Sequence, residues 1–357
     1  MRIMKNIFNL ILIILIVSKY SEAQNLVAVH HNGQPSFYTQ VTDAVSNAQN
    51  GDTIYIPGGS YPIGELEIKK ELHLFGVGHN PDSSKATSYT LLTGDIFLLN
   101  GASKTEIVGI KLSSGQYGGM IFLGSPFYTD STKLNNCQIR KCNLSQIAFE
   151  NDFGLTGRFS NNVISENIIG AITNNSGPVS GNDGNIISNN VISGGVANIG
   201  GSNVISNNIF LLTTNPISGA IQSVIQSNIF LVSCCYTDGS SNQSNLISNN
   251  LFVTTINIFS SATNTVQNNY YSQGSSSIFV NLIGTSFSYS SNYDLISTSI
   301  GNNAGADGTD IGIYGGLYPW KEGSIPTNPH IQSKTISSNT DASGNLPLSI
   351  KVVAQDY

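Results

Sequence analysis

The chain has 357 residues and a net charge of −6; only 10% of its residues are charged. Phosphate binding needs clustered Lys and Arg, and the sequence has no such cluster, which excludes nucleic acid as a partner. Four cysteines, Cys137, Cys142, Cys234 and Cys235, match neither a dense disulfide framework nor a C-x-x-C metal site; they read as buried thiols, with a Cys137–Cys142 bridge as the oxidised alternative.

At the start, Arg2 and Lys5 precede an apolar run from Ile7 to Val17, and Ser21-Glu22-Ala23 forms a small-x-small cleavage signal. This pattern predicts a signal peptide over residues 1–23 and a secreted or cell-surface product. No later stretch approaches about 20 apolar residues, so no transmembrane segment is expected in the mature chain. No cysteine at the cleavage point offers a lipid anchor. Next, Phe37, Val41, Ala44, Val45 and Ala48 fall on one helical face, predicting a short amphipathic capping helix over about 37–49. Gly51 ends it, and Thr53 to Ile56 alternates as a strand.

The middle of the chain repeats. VISENII (163–169), IISNNVI (186–192), VISNNIF (204–210), VIQSNIF (224–230), LISNNLF (246–252) and TVQNNYY (265–271) are versions of one unit. Their shared asparagine is Asn167, Asn190, Asn208, Asn228, Asn250 and Asn269, at spacings of 23, 18, 20, 22 and 19. An irregular period near 20 suits solenoid coils with loops of varying length. Apolar residues on either side of each asparagine would face a common core. The asparagines, stacked about 4.8 Å apart, would hydrogen-bond as a ladder. A leucine-rich repeat needs apolar residues five and eight before the asparagine, where Asn185, Asn203, Asn182 and Gly200 stand instead.

FYTQVTDAVSNAQNGDTIYIPGGSY (37–61) with IKKELHLFGVG (68–78), and YDLISTSIGNNAGADGTDIGIYGG (293–316), resemble opening and closing coils of the right-handed β-helix superfamily. That superfamily includes pectate lyases, polygalacturonases and many exported bacterial proteins. The resemblance implies an all-β fold: a single-stranded right-handed parallel β-helix over 24–318, with an N-terminal cap. Residues 319–357 follow as a linker and a C-terminal β-hairpin tail, its strands at His330 to Ile336 and Leu346 to Ala354 around Asp341 to Asn345. A lone hairpin is marginal in water, so it is expected to pack on the last coil.

The superfamily's enzymes work on the exposed face of one parallel sheet. A lyase needs a Lys or Arg base and a cation to neutralise a uronate, and a hydrolase needs paired carboxylates. Between Phe159 and Pro319 there is no Lys, Arg or His, so the central coils offer no base. The one richer zone comprises Lys133, Arg140, Lys141, Glu150, Asp152 and Arg158. Catalysis would require Arg140, Lys141 or Arg158 to converge with Glu150 or Asp152 in one cleft. Asp307 and Asp310, in a Gly-rich turn, could take Ca²⁺, but lack an EF-hand loop; no other cofactor is expected, and the histidines have no zinc-ligand spacing. Tyr270, Tyr271 and Trp320 are the candidate sugar-stacking residues in the aromatic C-terminal coils. The reading is therefore a secreted or surface β-helix that binds or displays toward polysaccharide without catalysis. The alternatives are a uronate-cleaving lyase, a glycoside hydrolase, or a purely structural envelope or adhesin component. No oligomeric state follows from the sequence.

Overall fold

The computed structural model describes residues 26–125, 132–150, 158–174, 182–211, 216–231, 242–254, 262–321, 323, 325–327 and 329–355. The segment 1–23 expected to be a signal peptide, Asp152, Cys234 and Cys235 lie outside the described residues.

The described chain is an all-β parallel β-helix. Each central coil contributes a three-residue strand to one sheet and a second strand to another. The first sheet stacks, in order, strands 52–55, 72–75, 106–108, 138–140, 163–165, 186–188, 204–206, 224–226, 246–248 and 265–267, all parallel. Their middle residues, among them Ile54, Leu74, Ile107, Ile139, Ile164, Ile187, Ile205, Ile225 and Ile247, are buried in one continuous core. The flanking residues of each strand point outward, because side chains alternate across a sheet. Opposite them, Phe210, Phe230, Phe252 and Tyr271 stack face to face at centroid distances of 4.8, 4.8 and 5.1 Å. Tyr271, a candidate for sugar stacking, ends this core stack and is partly buried.

The asparagine ladder runs as expected. From Asn167 through Asn190, Asn208, Asn228 and Asn250 to Asn269, each side-chain oxygen accepts both the backbone N–H and the side-chain N–H of the asparagine before it, at 2.9–3.0 Å. Cys142 heads the ladder, its N–H donating to Asn167. A second ladder, five residues earlier in each coil, was not anticipated. It runs Cys137, Asn162, Asn185, Asn203, Ser223, Asn245, Asn264. Each strand of the first sheet from 138–140 to 265–267 is thus bracketed by two polar ladders at its two turns. Both head cysteines are free thiols buried in this register, and burial pushes Cys137 up to about 11 and Cys142 to about 12.

The cap is a seven-residue helix, Val41–Asn47, burying Val41, Ala44 and Val45. Phe37 is not on it: Gln34–Tyr38 is instead a strand antiparallel to Val27–His31, and Phe37 is 61% exposed.

The C-terminal third departs most from expectation. Residues 293–316 do not form a closing parallel coil. Asn292–Leu295 pairs antiparallel with Phe279–Asn281, and the chain then returns lengthwise along the outside of the solenoid as a strap. As the strap advances, its partners climb from late coils to early ones. Asn249 donates to the Ala304 carbonyl, Ala306 N–H to the Ser227 hydroxyl, Asn207 to Gly312, and Asn189 to Ile313 and Gly315. Lys141 then meets the Ile325 carbonyl, and Ala86 N–H donates to Gln332. The approach is close: a Cβ on Gly315 would collide with the Asp310 carbonyl and the Asn207 side chain. Outward aliphatics Val191, Ile209, Leu211, Ile229, Leu231 and Leu251 form a second apolar cluster with Ile278, Phe279, Tyr293, Ile311 and Ile313 of this segment.

The tail is an antiparallel hairpin, His330–Ile336 with Leu348–Val353. It does not rest on the last coil. The strap has carried it to the opposite end, where buried His330 lies 3.4 Å from the Ser83 carbonyl.

The loop between the paired strands Phe279–Asn281 and Asn292–Leu295, ahead of the strap, brings Tyr289 onto His79. The His79 Nδ1–H donates to Tyr289 Oη at 2.8 Å, Tyr289 donates to the His79 carbonyl, and Asn143 Nδ2 donates to Tyr289 Oη. His79 is 1% exposed, and its Nε2 has no partner. A proton there would find no acceptor, and burial, with the Lys111 charge, lowers the imidazole to about 3. Below pH 6.5 the unfolded chain takes up a proton that the folded chain refuses, so stability falls as pH drops toward 3. The slope is about 1.4 kcal/mol per pH unit. Urea unfolding between pH 7.5 and 4.5 should show this loss, and His79→Gln should remove one proton's worth of the slope. An unchanged slope in that variant would contradict a neutral buried His79.

Candidate functional site

The outer face of the first sheet is where the described polar and aromatic side chains gather. Outward positions of one row are Tyr55, Phe75, Val108, Arg140 and Ser165, one per coil; the other row begins Thr53, His73, Glu106 and Gln138. Tyr55 and Phe75 stack at 6.0 Å and 24°, with Tyr55 40% exposed. Beside them, the Arg140 guanidinium donates to Glu106 at 3.3 Å, and His73 sits 3.6 Å from Glu106 and 3.8 Å from Glu71. Parallel stacking in register creates this row: His73, Glu106 and Gln138 are direct neighbours across strands, although 33 and 32 residues apart in sequence.

The strap forms one wall of this face. Leu317, Tyr318, Pro319, Lys321 and Thr327 border a shallow notch of about 30 Å³ with Arg140, Lys141 and Glu166. Leu317 and Tyr318 are exposed on its rim.

The candidates from the sequence divide. Arg140 belongs to the outer face of the first sheet, half-buried against Glu106. Lys141 does not: it is buried, and its ammonium faces Glu166 at 3.6 Å, the Ile325 carbonyl at 3.1 Å and Gln355 Oε1 at 3.2 Å. An ammonium has three donors; two are taken by hydrogen bonds to Ile325 and Gln355, and the third faces the Glu166 carboxylate as an ion pair. Burial lowers Lys141 and raises the Glu166 carboxyl, while each one's charge opposes the other's shift. Lys141 is a clip for the strap and is not placed as a general base. Glu150 is buried just beyond the strand Asn143–Phe149, at the far end from Lys141. Seven residues at about 3.3 Å each separate the two by roughly 20 Å, so Lys141 and Glu150 do not converge; Asp152 and the Arg158 side chain lie outside the described residues. Arg158 opens a strand, Arg158–Ser160, parallel to Lys133–Asn135 in a separate two-stranded ladder; the described part of it is its backbone.

Asp307 accepts from the N–H and hydroxyl of Thr309, and Asp310 Oδ1 accepts from Asn303 N–H. Both carboxylates organise the strap's turn, and no group of three or more metal-ligating side chains occurs among the described residues. Tyr270 and Trp320 pack against the apolar cluster beneath the strap. His73, Glu71 and Glu106 were missed. The signal that would have found them is the register of the N-terminal coils, which lack the Asn-Asn marker of the central repeats.

No protein-family model matches the chain. A stretch of 52 residues is 44% identical to the F-box protein SKIP5 of Arabidopsis thaliana, covering 14% of this chain and 19% of that protein. Among solved structures, a PL6 alginate lyase in complex with a trisaccharide aligns with TM-score 0.34 and 14% identity, over 59% of this chain and 50% of that one. The PL6 alginate lyase AlyGC aligns with TM-score 0.24 and 13% identity, over 78% of this chain and 59% of that one. The chain thus spans about a fifth of the plant protein and about half to three fifths of the two lyases. Similarity at this level does not extend to activity.

Proposed function

We propose that this protein is an exported β-helix that binds an acidic polysaccharide along the outer face of its first sheet and does not cleave it. The observation that carries the reading is the stacked Tyr55–Phe75 pair, with Tyr55 exposed, beside the half-buried Glu106–Arg140 pair on one rigid face. Aromatic faces present apolar area to sugar C–H groups at little entropic cost, and a guanidinium fork matches a carboxylate. Export rests on the predicted signal peptide. The absence of cleavage rests on Lys141, whose donors are occupied, and on the distance between it and Glu150.

Electrophoresis of the mature protein through gels containing polyuronate or neutral glycan tests this. Retardation by polyuronate is expected, weakening with salt, with about a tenfold or greater affinity loss in Phe75→Ala. Arg140→Ala should weaken uronate binding and its salt dependence together. Accumulation of an ultraviolet-absorbing unsaturated product would replace this reading with a lyase, His73 beside Glu106 then being the nearest base. Absence of both retardation and product would leave a structural rod.

A further inference from the structure

On the other flank of the strap, away from Arg140, lies a small aromatic notch that the proposed polysaccharide face does not use. Asn80, Phe287, Ser288, Tyr289, Tyr293 and Trp320 line it. Its walls are rings: Phe287 meets Tyr289 edge-on at 4.9 Å and lies parallel to Tyr293 at 6.0 Å. None of its described lining residues is charged. Its rim carries donors with no protein partner among the described residues: the Trp320 indole N–H and the Asn80 side-chain N–H, whose oxygen is already engaged by Asp82 N–H. The Ser288 hydroxyl accepts from Ser290 and donates to no described residue. The walls are also fixed, because Tyr289 is held by His79 and Asn143 and the Trp320 backbone N–H by Ile313.

We infer that this notch is a binding site for a neutral hexopyranose unit, whose exocyclic hydroxymethyl group enters it while the sugar ring lies across the aromatic mouth. Size sets the first half of that statement. The notch is open at its mouth and has about 20 Å³ of room below it, enough for one hydroxyl-bearing carbon and not for a ring. Chemistry sets the second: ring faces next to uncharged donors suit a sugar's apolar C–H face and its hydroxyl acceptors, whereas a carboxylate would find no cation here. A pentopyranose, which lacks the hydroxymethyl group, would leave the notch unfilled and bind more weakly.

Trp320 is the sole tryptophan of the chain, so its fluorescence reports on this site directly. The mature protein, titrated with gluco- and manno-oligosaccharides and in parallel with xylo-oligosaccharides, should show a saturable change in tryptophan emission with the hexose series. The xylose series should bind at least fivefold more weakly. Trp320→Phe keeps the ring and removes the indole donor, and should lower hexose affinity about fivefold by calorimetry; Asn80→Ala, at the rim, should act in the same direction. Neither variant should alter retardation by polyuronate, and Arg140→Ala should not alter the fluorescence titration, so the two sites fail separately. No saturable emission change with any hexose, or equal affinity for hexose and pentose, would overturn the inference.

Discussion

Replacing Asn208 with alanine should be among the most damaging single changes in the molecule, costing about 2–6 kcal/mol by chemical denaturation. Asn208 Oδ1 accepts from both the backbone and side chain of Asn190, and its Nδ2 lies 2.9–3.0 Å from the Ile187 carbonyl, the Ser206 carbonyl and Asn228 Oδ1. The residue is fully buried, so no water takes its place. Truncation orphans at least the Asn190 N–H and the Ile187 carbonyl, at about 1–3 kcal/mol for each buried unpaired group. Against a typical net stability of about 5–15 kcal/mol, that is a large fraction. Asn208→Asp separates acceptor from donor. The carboxylate still receives both Asn190 bonds but returns none to Asn228, and it buries a charge, so it should rescue nothing at neutral pH. Asn269, at the partly buried end of the ladder, is the control: it accepts the same two bonds from Asn250, but water can reach the groups it leaves, so its alanine variant should cost about 1 kcal/mol. Equal losses at the two positions would mean that the ladder contributes no more than local turn propensity.

How much of this was legible follows from which interactions leave a periodic trace. The ladder through Asn167 and Asn269 did, because one residue type recurs beside an aliphatic pair in every central coil. The second ladder was half visible. Asn185 and Asn203 stand out five residues before Asn190 and Asn208, but Ser223 replaces asparagine in the next coil and blurs the pattern. Both ladders are headed by cysteine, whose backbone N–H is all that the first rung requires, so Cys137 and Cys142 give no sequence hint of their role. The strap was not legible, because it bonds through its own backbone groups to asparagine, lysine and serine side chains of coils up to 184 residues away, with no repeat in the strap itself. Its Asp-Ile-Gly stretch looks like a coil strand, since Ile311 and Ile313 are buried apolar residues two apart, yet they bury against the outside of the solenoid. The N-terminal part of the site escaped for a related reason. His73 and Glu106 meet only through strand register, and a long insertion separates their coils.

The strap also changes how the solenoid should unfold, and Lys141 is where this can be tested. In a simple stack each coil touches only its neighbours, and unfolding can spread from either end. Here a single segment binds coils from Asn249 to Lys141 and continues to Ala86, coupling distant coils directly. Lys141 and Glu166 occupy left-handed turn positions, with φ of 53° and 56°, in the row that Asn189, Asn207, Asn249 and Asn268 fill elsewhere. Asparagine tolerates that conformation, whereas lysine and glutamate are held there at about 1 kcal/mol or more each. The pair is also buried, which disfavours both charges. What offsets these costs is the clip itself, in which Lys141 ties the Ile325 carbonyl and Gln355 to the solenoid. Lys141→Ala strands the Glu166 carboxylate and frees the strap, and should cost about 3–5 kcal/mol. It should also open the peptide bonds after Lys321 and Lys334 to trypsin well below the global melting temperature. The double change Lys141→Asn with Glu166→Asn restores the residue that the turn prefers and leaves no buried charge, so its loss should be far smaller than the sum of the two single changes. The tail should nevertheless remain more cleavable than in the unaltered protein, because asparagine is too short to reach Gln355. If the double variant were as unstable as Lys141→Ala and equally resistant to trypsin at Lys321, the pair would be serving the core and not the strap.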